Sequence, residues 1–250
     1  VSRVETIGRA RLILGDALDT MRSLERVDAI VTDPPYCSGS VGEAQRTAAK
    51  GQGLRSENIR RLGWFVGDNM GTAGLTFLLR SVAFQGLEIL NPEGSMLLFC
   101  DWRMVPNLAP AIESAGLRYQ NMIVWDKGHM GMGQGFRAQH EIILHYTAGS
   151  PKYHHLGTSN VLKAARVGAQ DREHQTQKPL ELMEQLIRVV CAPDGIVLDP
   201  FMGSGATGCA ALKTGRQFVG IERDPDHFET AYRRITEVAG NAGPLFGEAA

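Results

Sequence analysis

Two short stretches of this chain carry side chains whose types and spacing suit chemistry at a small reaction centre. At Asp33-Pro34-Pro35-Tyr36 the buried-looking run Asp28-Ala29-Ile30-Val31-Thr32 leads straight into two prolines. Proline fixes its own φ and drives the preceding residue into an extended conformation, so a strand must stop here. What it then presents is a carboxylate, two carbonyls and an aromatic ring in a stiff array. The oxygens are hydrogen-bond acceptors held in fixed positions.

The second stretch is Asp199-Pro200-Phe201-Met202-Gly203-Ser204-Gly205-Ala206-Thr207, between the strand-like Gly195-Ile196-Val197-Leu198 and a helical run through Cys209 to Lys213. Glycines at 203 and 205 allow a sharp turn and a close approach to a ligand at the carboxyl end of a strand, where open α/β sheets bind nucleotides. The next strand, Phe218-Val219-Gly220-Ile221, ends in Glu222, about 20 residues on, where a carboxylate could hold ribose hydroxyls. A third glycine in dinucleotide spacing and a Gly-Lys-Ser/Thr are both missing, and Asp199 beside the loop would repel phosphate. The pattern favours an adenosine bearing a positive group over a dinucleotide or a triphosphate.

Positioning these loops requires strands that end where the motifs begin. Strand-like runs fall at residues 10–14, 29–32, 95–100, 120–125, 141–146, 196–198 and 217–221, alternating with helical stretches, and that alternation predicts a parallel α/β sheet. Pro179 opens one helix, with Glu181 early, Arg188 late and Leu180, Met183, Leu186, Ile187 and Val190 on one face. Another runs from Pro225 to Val238 with Phe228, Ala231, Tyr232 and Ile235 as its apolar stripe.

The chain has 250 residues, 43% hydrophobic and 21% charged, with 26 basic against 27 acidic side chains, the profile of an ordinary globular protein. It contains no apolar run long enough to span a bilayer, and its first residues, VSRVETIGR, lack a hydrophobic signal stretch, so the expected location is cytoplasmic with no membrane contact. Four cysteines without C-x-x-C spacing read as free thiols, and no metal site is expected. The net charge of -1 confines any contact with phosphates to local patches. From Cys37 to Val66 five bases (Arg46, Lys50, Arg55, Arg60, Arg61) face two acids (Glu43, Glu57). From Ser150 to Leu180 another five (Lys152, Lys163, Arg166, Arg172, Lys178) face Asp171 and Glu173. Together they are the candidates for contact with a polyanion; for either segment alone, a charged surface loop is the better reading.

Together the two motifs resemble the amino-methyltransferases of DNA, which use S-adenosylmethionine. There D-P-P-Y is the catalytic loop and D-P-F-x-G-S-G-x-T the methionine-side cofactor loop. The likeness extends over most of the chain. Leu14-Gly15-Asp16-Ala17-Leu18 resembles the segment whose Asp contacts the cofactor's adenine. His174-Gln175-Thr176-Gln177-Lys178-Pro179 resembles the family's H-P-T-Q-K-P entry, with Gln at 175 in place of Pro. Asp101-Trp102-Arg103, Trp125-Asp126-Lys127, Phe136-Arg137 and His140-Glu141 resemble segments that flank the target-base pocket. The catalytic motif precedes the cofactor motif, the circularly permuted order of the β group.

The resemblance implies one Rossmann-like methyltransferase domain over residues 1–250, with a seven-stranded, mostly parallel sheet and an antiparallel hairpin from 120–125 and 141–146. The strands ending at Asp33 and Asp199 must then be neighbours, so that their carboxyl ends share one crevice. Residues 37–74 would form a mobile DNA-clamping lid, and 147–173 a short target-recognition segment. The implied catalytic residues are Asp33, Pro34, Pro35 and Tyr36. The implied cofactor contacts are Asp16, Asp33, Lys178, Asp199, Phe201, Gly203, Ser204, Gly205, Thr207 and Glu222. Simpler roles stand beside three of these: a helix N-cap for Asp16, an exposed strand-end acid for Glu222, a solvated lysine for Lys178.

The implied reaction is methylation of the N6 amine of adenine in DNA, with the base flipped out of the duplex. Cytosine N4 methylation uses the same machinery; in the family Ser more often than Asp begins the cytosine motif, so Asp33 favours adenine. Methylation of a protein side-chain amide commonly shows Asn at that position, and a non-catalytic binding module would not need both motifs intact. DNA is the expected partner. A second copy of the chain and a restriction endonuclease are further partners the family allows.

Overall fold

The computed structural model describes residues 3–35, 71–131, 134–165 and 178–241. The runs at 29–32 and 95–100 are buried on both faces, the pattern of strands covered by helices on either side. The described strands are β1 (Arg3–Ile7), β2 (Ala10–Leu14), β3 (Val27–Thr32), β4 (Leu90–Cys100), β5 (Arg118–Asp126), β6 (His140–Thr147), β7 (Val161–Lys163), β8 (Ile196–Asp199) and β9 (Gln217–Glu222). One sheet holds them in the order β1-β2-β9-β8-β3-β4-β6-β5-β7. From β2 through β9, β8 and β3 to β4 all neighbours are parallel. The expected antiparallel hairpin is β5 with β6, Trp125 opposite Glu141.

All seven expected strands are present, and the described residues add two edge strands. β1 pairs antiparallel with β2 across a turn at Gly8, whose φ is +54°. Its sequence, Arg-Val-Glu-Thr-Ile, is mostly polar because it closes an edge rather than a core. β7 is three residues long and joins β5 in parallel, too short for an alternation to register.

Two helical layers cover the sheet. Alternate residues of each strand point to opposite faces, so Leu97 and Phe99 of β4 pack into one core while Met96 and Leu98 pack into the other. The first core is capped by α4 (Leu180–Val190), α5 (Ala206–Lys213) and α6 (Pro225–Asn241), the second by α1 (Ala17–Met21), α2 (Thr72–Ile89) and α3 (Val105–Glu113). Pro179 is the N-cap of α4, with Glu181 in its first turn and Arg188 in its last, as the sequence signals require.

Of the expected lid at 37–74, residues through 70 lie outside the described residues. Thr72 to Gly74 are corrected: they form the first turn of α2, whose buried residues Leu75, Leu79, Val82, Ala83 and Gly86 carry the helical spacing. In the segment 147–173, Ala148 N donates to Gly94 O, Lys152 N to Glu93 O and His154 N to Val189 O. That part is therefore laid along the amino-terminal end of β4 and the last turn of α4, opposite the end where β3 and β8 stop. Residues 166–173 lie outside the described residues.

Gly220 sits inside β9 because a Cβ there would overlap Met202 Sδ and lie 2.6 Å from Phe218 Cε1. Gly220→Ala should push the Met202 turn off the sheet and cost about 1–3 kcal/mol of stability, the usual cost of overpacking. Urea unfolding of the two proteins measures it.

Candidate active site

β3 and β8 lie side by side in parallel, with Ala29 opposite Val197 and Ile30 opposite Leu198. This adjacency, between strands more than 160 residues apart, brings Thr32 and Asp33 to the same sheet end as Asp199 and Pro200. There the two motifs are joined directly. The Asp199 carboxylate, 2% exposed, accepts the Thr32 hydroxyl at Oδ1 (2.7 Å) and the Thr207 hydroxyl at Oδ2 (2.6 Å). Phe201 N also donates to Oδ1, at 3.0 Å. One buried carboxylate thus ties the catalytic strand, the turn after β8 and the start of α5 together.

Burial pushes the Asp199 carboxyl up to about 6, against the three donors that hold it down, and the nearby Asp33 charge pushes it further. Because Thr32 bonds to Asp199, the next residue, Asp33, lies at the same sheet end as that carboxylate. Asp33 itself is half-buried and Pro34 buried.

Behind Asp33 stands Lys178. Its ammonium lies 2.6 Å from Asp33 Oδ2 and 3.2 Å from Glu141 Oε2, with Lys127 Nζ 3.3 Å from Glu141 Oε1. Lys178 is 6% exposed, and Nζ sits 5.1 Å from the centre of the Phe99 ring. Burial alone would lower its pKa, but Asp33 and Glu141 outweigh that and raise it, so it stays charged. Glu141 is held below its ordinary value by Lys178 and Lys127 in spite of burial, which acts the other way. The resemblance implied that Lys178 touches the cofactor; in the structure its ammonium is paired with the Asp33 and Glu141 carboxylates.

The remaining expected residues gather at the ends of β2, β8 and β9. Gly203 and Gly205 have φ of +53° and +80°, and a Cβ on Gly205 would press to 3.0 Å against Ala231 Cβ, so both geometry and space require glycine there. Glu222 accepts Gly203 N at Oε2 and Asp224 N at Oε1, each at 2.8 Å, so its carboxylate pins the glycine turn. Asp16 caps α1, accepting Leu18 N at 2.9 Å and Asp19 N at 3.3 Å. Gly15 N bonds to Glu222 O at 2.8 Å, which sets Asp16 beside the turn. The side chains of Ser204 and Thr207 face inward, Ser204 to Arg234 and Thr207 to Asp199. Phe201 is half-buried. Tyr36 lies outside the described residues.

Thr32, Phe99, Lys127 and Glu141 were not among the expected site residues. Lys127 and Glu141 stood within the segments assigned to the target-base pocket, but nothing in a linear reading pairs them with Lys178. Thr32 looks like one more β-branched strand residue. Among the described residues, no group of three or more His, Cys, Asp and Glu could hold a metal ion. No helix of these residues is long and apolar enough to cross a membrane.

The family model described as DNA methylase, of the N6/N4 type, matches residues 27–233. The chain belongs to this DNA methylase family. The methylase is 28% identical over 231 residues to YubD of Escherichia coli (strain K12), a protein provisionally named a methylase, covering 92% of this chain and 91% of that one. It is 27% identical over 167 residues to the type II methyltransferase M2.DpnII of Streptococcus pneumoniae, covering 59% of this chain and 62% of that one. Among solved structures, M1.HpyAVI in complex with SAM superposes with a TM-score of 0.67 at 26% identity, covering 90% of this chain and 98% of that one. The cytosine-N4-specific PvuII DNA methyltransferase superposes with a TM-score of 0.70, covering 94% and 93%, and its 16% identity speaks to the fold. The Rossmann-like methyltransferase architecture expected from the motif order is therefore present.

The Asp199 clamp predicts an unusual pH dependence. Its carboxyl is raised from 3.8 to about 6 in the folded methylase, so between those values the folded state binds more protons than the unfolded one. Stability from this group is greatest below about pH 4 and declines as pH rises through 6. Asp199→Asn keeps an acceptor for Thr32 and removes the charge, so its melting temperature should gain on the parent's between pH 4 and 7. Thr32→Val, which removes a donor from a buried carboxylate, should cost about 1–3 kcal/mol at pH 7 and less at pH 4. Thermal melts across that range check both.

Proposed function

We propose that the methylase transfers the methyl group of S-adenosylmethionine to the N6 amine of adenine in DNA. The observation that carries this is the junction of the catalytic strand with the cofactor turn through Asp199, which sets Asp33 beside the glycine turn. The residues present fit the cofactor. The ends of β2 and β9 offer Asp16 and Glu222 around a turn with two left-handed glycines, a surface suited to a ribose and a cation and ill suited to a polyphosphate. Asp16, Phe201, Gly203, Gly205 and Glu222 would hold it. When bound, it supplies an electrophilic methyl on a positively charged sulfur.

The chain's own residues supply the rest. An exocyclic amine is a poor nucleophile because its lone pair is delocalised into the ring. The Asp33 carboxylate and the Pro34 carbonyl accept its two hydrogens, drawing nitrogen toward tetrahedral geometry and aiming the lone pair. Pro34 and Pro35 make this corner stiff, so little reorganisation accompanies reaction. The ammonium of Lys178, 2.6 Å from Asp33 Oδ2, holds that carboxylate in place. Positive charge that develops on the amine nitrogen is met by the Asp33 carboxylate. Tyr36 stacks on the flipped base, offsetting roughly a few kcal/mol of unstacking. The basic runs at 37–66 and 150–180 supply local positive charge for the DNA backbone.

Adenine is favoured over cytosine because the catalytic motif begins with Asp33 and not Ser. Incubating the methylase with DNA and cofactor, then digesting the product to nucleosides, should give N6-methyladenine; N4-methylcytosine would overturn the assignment. Asp33→Ala should lower the rate at least about a thousandfold, the scale of losing a group that stabilises transition-state charge.

A further inference from the structure

We propose that Glu141 and Lys127 are positioning residues for methyl transfer, forming with the buried Lys178 a partly buried chain of alternating charge that fixes the Asp33 carboxylate. The proposal rests on the reading of Asp33 as the acceptor of the target amine. The chain runs Lys127, Glu141, Lys178, Asp33, with successive contacts of 3.3, 3.2 and 2.6 Å. Its members come from separate places: the residue after β5, the second residue of β6, the residue before Pro179 and the residue after β3. Only the folded sheet brings them together.

Side-chain exposures are 12% for Lys127, 18% for Glu141, 6% for Lys178 and 22% for Asp33. Taking four charges this far from water costs more than burying apolar side chains of the same size, so stability alone does not account for them. Geometry does. An ammonium with one anionic partner swings about it, whereas Lys178 is held between two carboxylates and above the Phe99 ring, so its position is set. That in turn sets Asp33 Oδ2. Lys127 does the same for Glu141, since it is anchored by its own backbone N–H to Gln139 O at 2.9 Å and lies 5.9 Å from the centre of the Trp125 ring.

Charge balance is the second part of the argument. Without Glu141 the full charge of Lys178 would fall on Asp33 and weaken it as an acceptor. The same charge would oppose the positive charge that grows on the amine nitrogen during transfer. Glu141 cancels that excess, so Asp33 is held without being neutralised.

The experiment is single-turnover methyl transfer to a DNA duplex, with cofactor affinity measured separately by calorimetry, on the full chain. Glu141→Gln should slow transfer by on the order of a hundredfold, the penalty for a misplaced reacting group, while cofactor affinity changes less than about twofold. Glu141→Asp, which keeps the charge, should recover part of that loss. In a Lys178→Met background the Gln substitution should add nothing further, because Glu141 acts through Lys178. A parent-like rate for Glu141→Gln, or an equal loss with and without Lys178, overturns the proposal. Should Glu141→Gln fail to fold, Lys127→Met at the outer end decides: transfer slowed by about tenfold at unchanged cofactor affinity supports the chain, and an unchanged rate overturns it. An inactive Asp33→Ala beside a parent-like Glu141→Gln sinks only this inference; an active Asp33→Ala sinks the reading of the site itself.

Discussion

The site depends on one carboxylate that water never sees. Asp199 accepts two hydroxyls and a backbone N–H, and each donor comes from a different part of the crevice: the end of the catalytic strand, the proline turn after β8 and the first turn of α5. A buried carboxyl with fewer partners would be costly, and with these three it becomes a joint. The joint fixes the spacing between the strand that ends at Asp33 and the glycine turn after β8. In the proposed reaction, an in-line displacement would depend on that spacing. This makes Asp199 more than the first letter of a cofactor motif: its side chain is used inside the protein, while the turn it organises faces the ligand.

A similar division holds for the other conspicuous polar residues of the cofactor motif. Ser204 and Thr207 point inward and brace the turn against α6 and Asp199. Glu222 pins Gly203 from the neighbouring strand. The ligand-facing surface is then largely backbone, which is what two left-handed glycines permit. On the catalytic side the same economy appears in charge. Asp33 has an ammonium at hydrogen-bond distance whose own charge is shared with Glu141, which holds the carboxylate in place.

The fold was legible wherever burial imposes a pattern. β3, β8 and β9 are continuous apolar runs that end at a motif, and α4 carries its proline, its early acid, its late base and its apolar face in plain order. The edges were not legible. β1 is polar and β7 is three residues long, and an edge strand needs neither an alternation nor a hydrophobic face to pair through its backbone. The amino-terminal turn of α2 was hidden for a related reason: Gly71, Thr72 and Gly74 have weak helix preference, and packing of Leu75 and Leu79 decides the matter.

What the amino-acid order by itself determined is the local chemistry: a proline-stiffened acid, a glycine turn at a strand end, and the resemblance to a methylase that those two carry. Both are properties of a few consecutive residues, whose backbone preferences are set by their own covalent geometry. Which side chains meet across the sheet was decided only by the tertiary structure. Thr32 finds Asp199 because β3 and β8 are neighbours, and Lys178 finds Asp33 and Glu141 because α4 begins where β3 ends and β6 starts. A hydrogen bond or an ion pair between residues so far apart along the chain leaves no periodicity behind, since it depends on position in space and not on spacing in sequence.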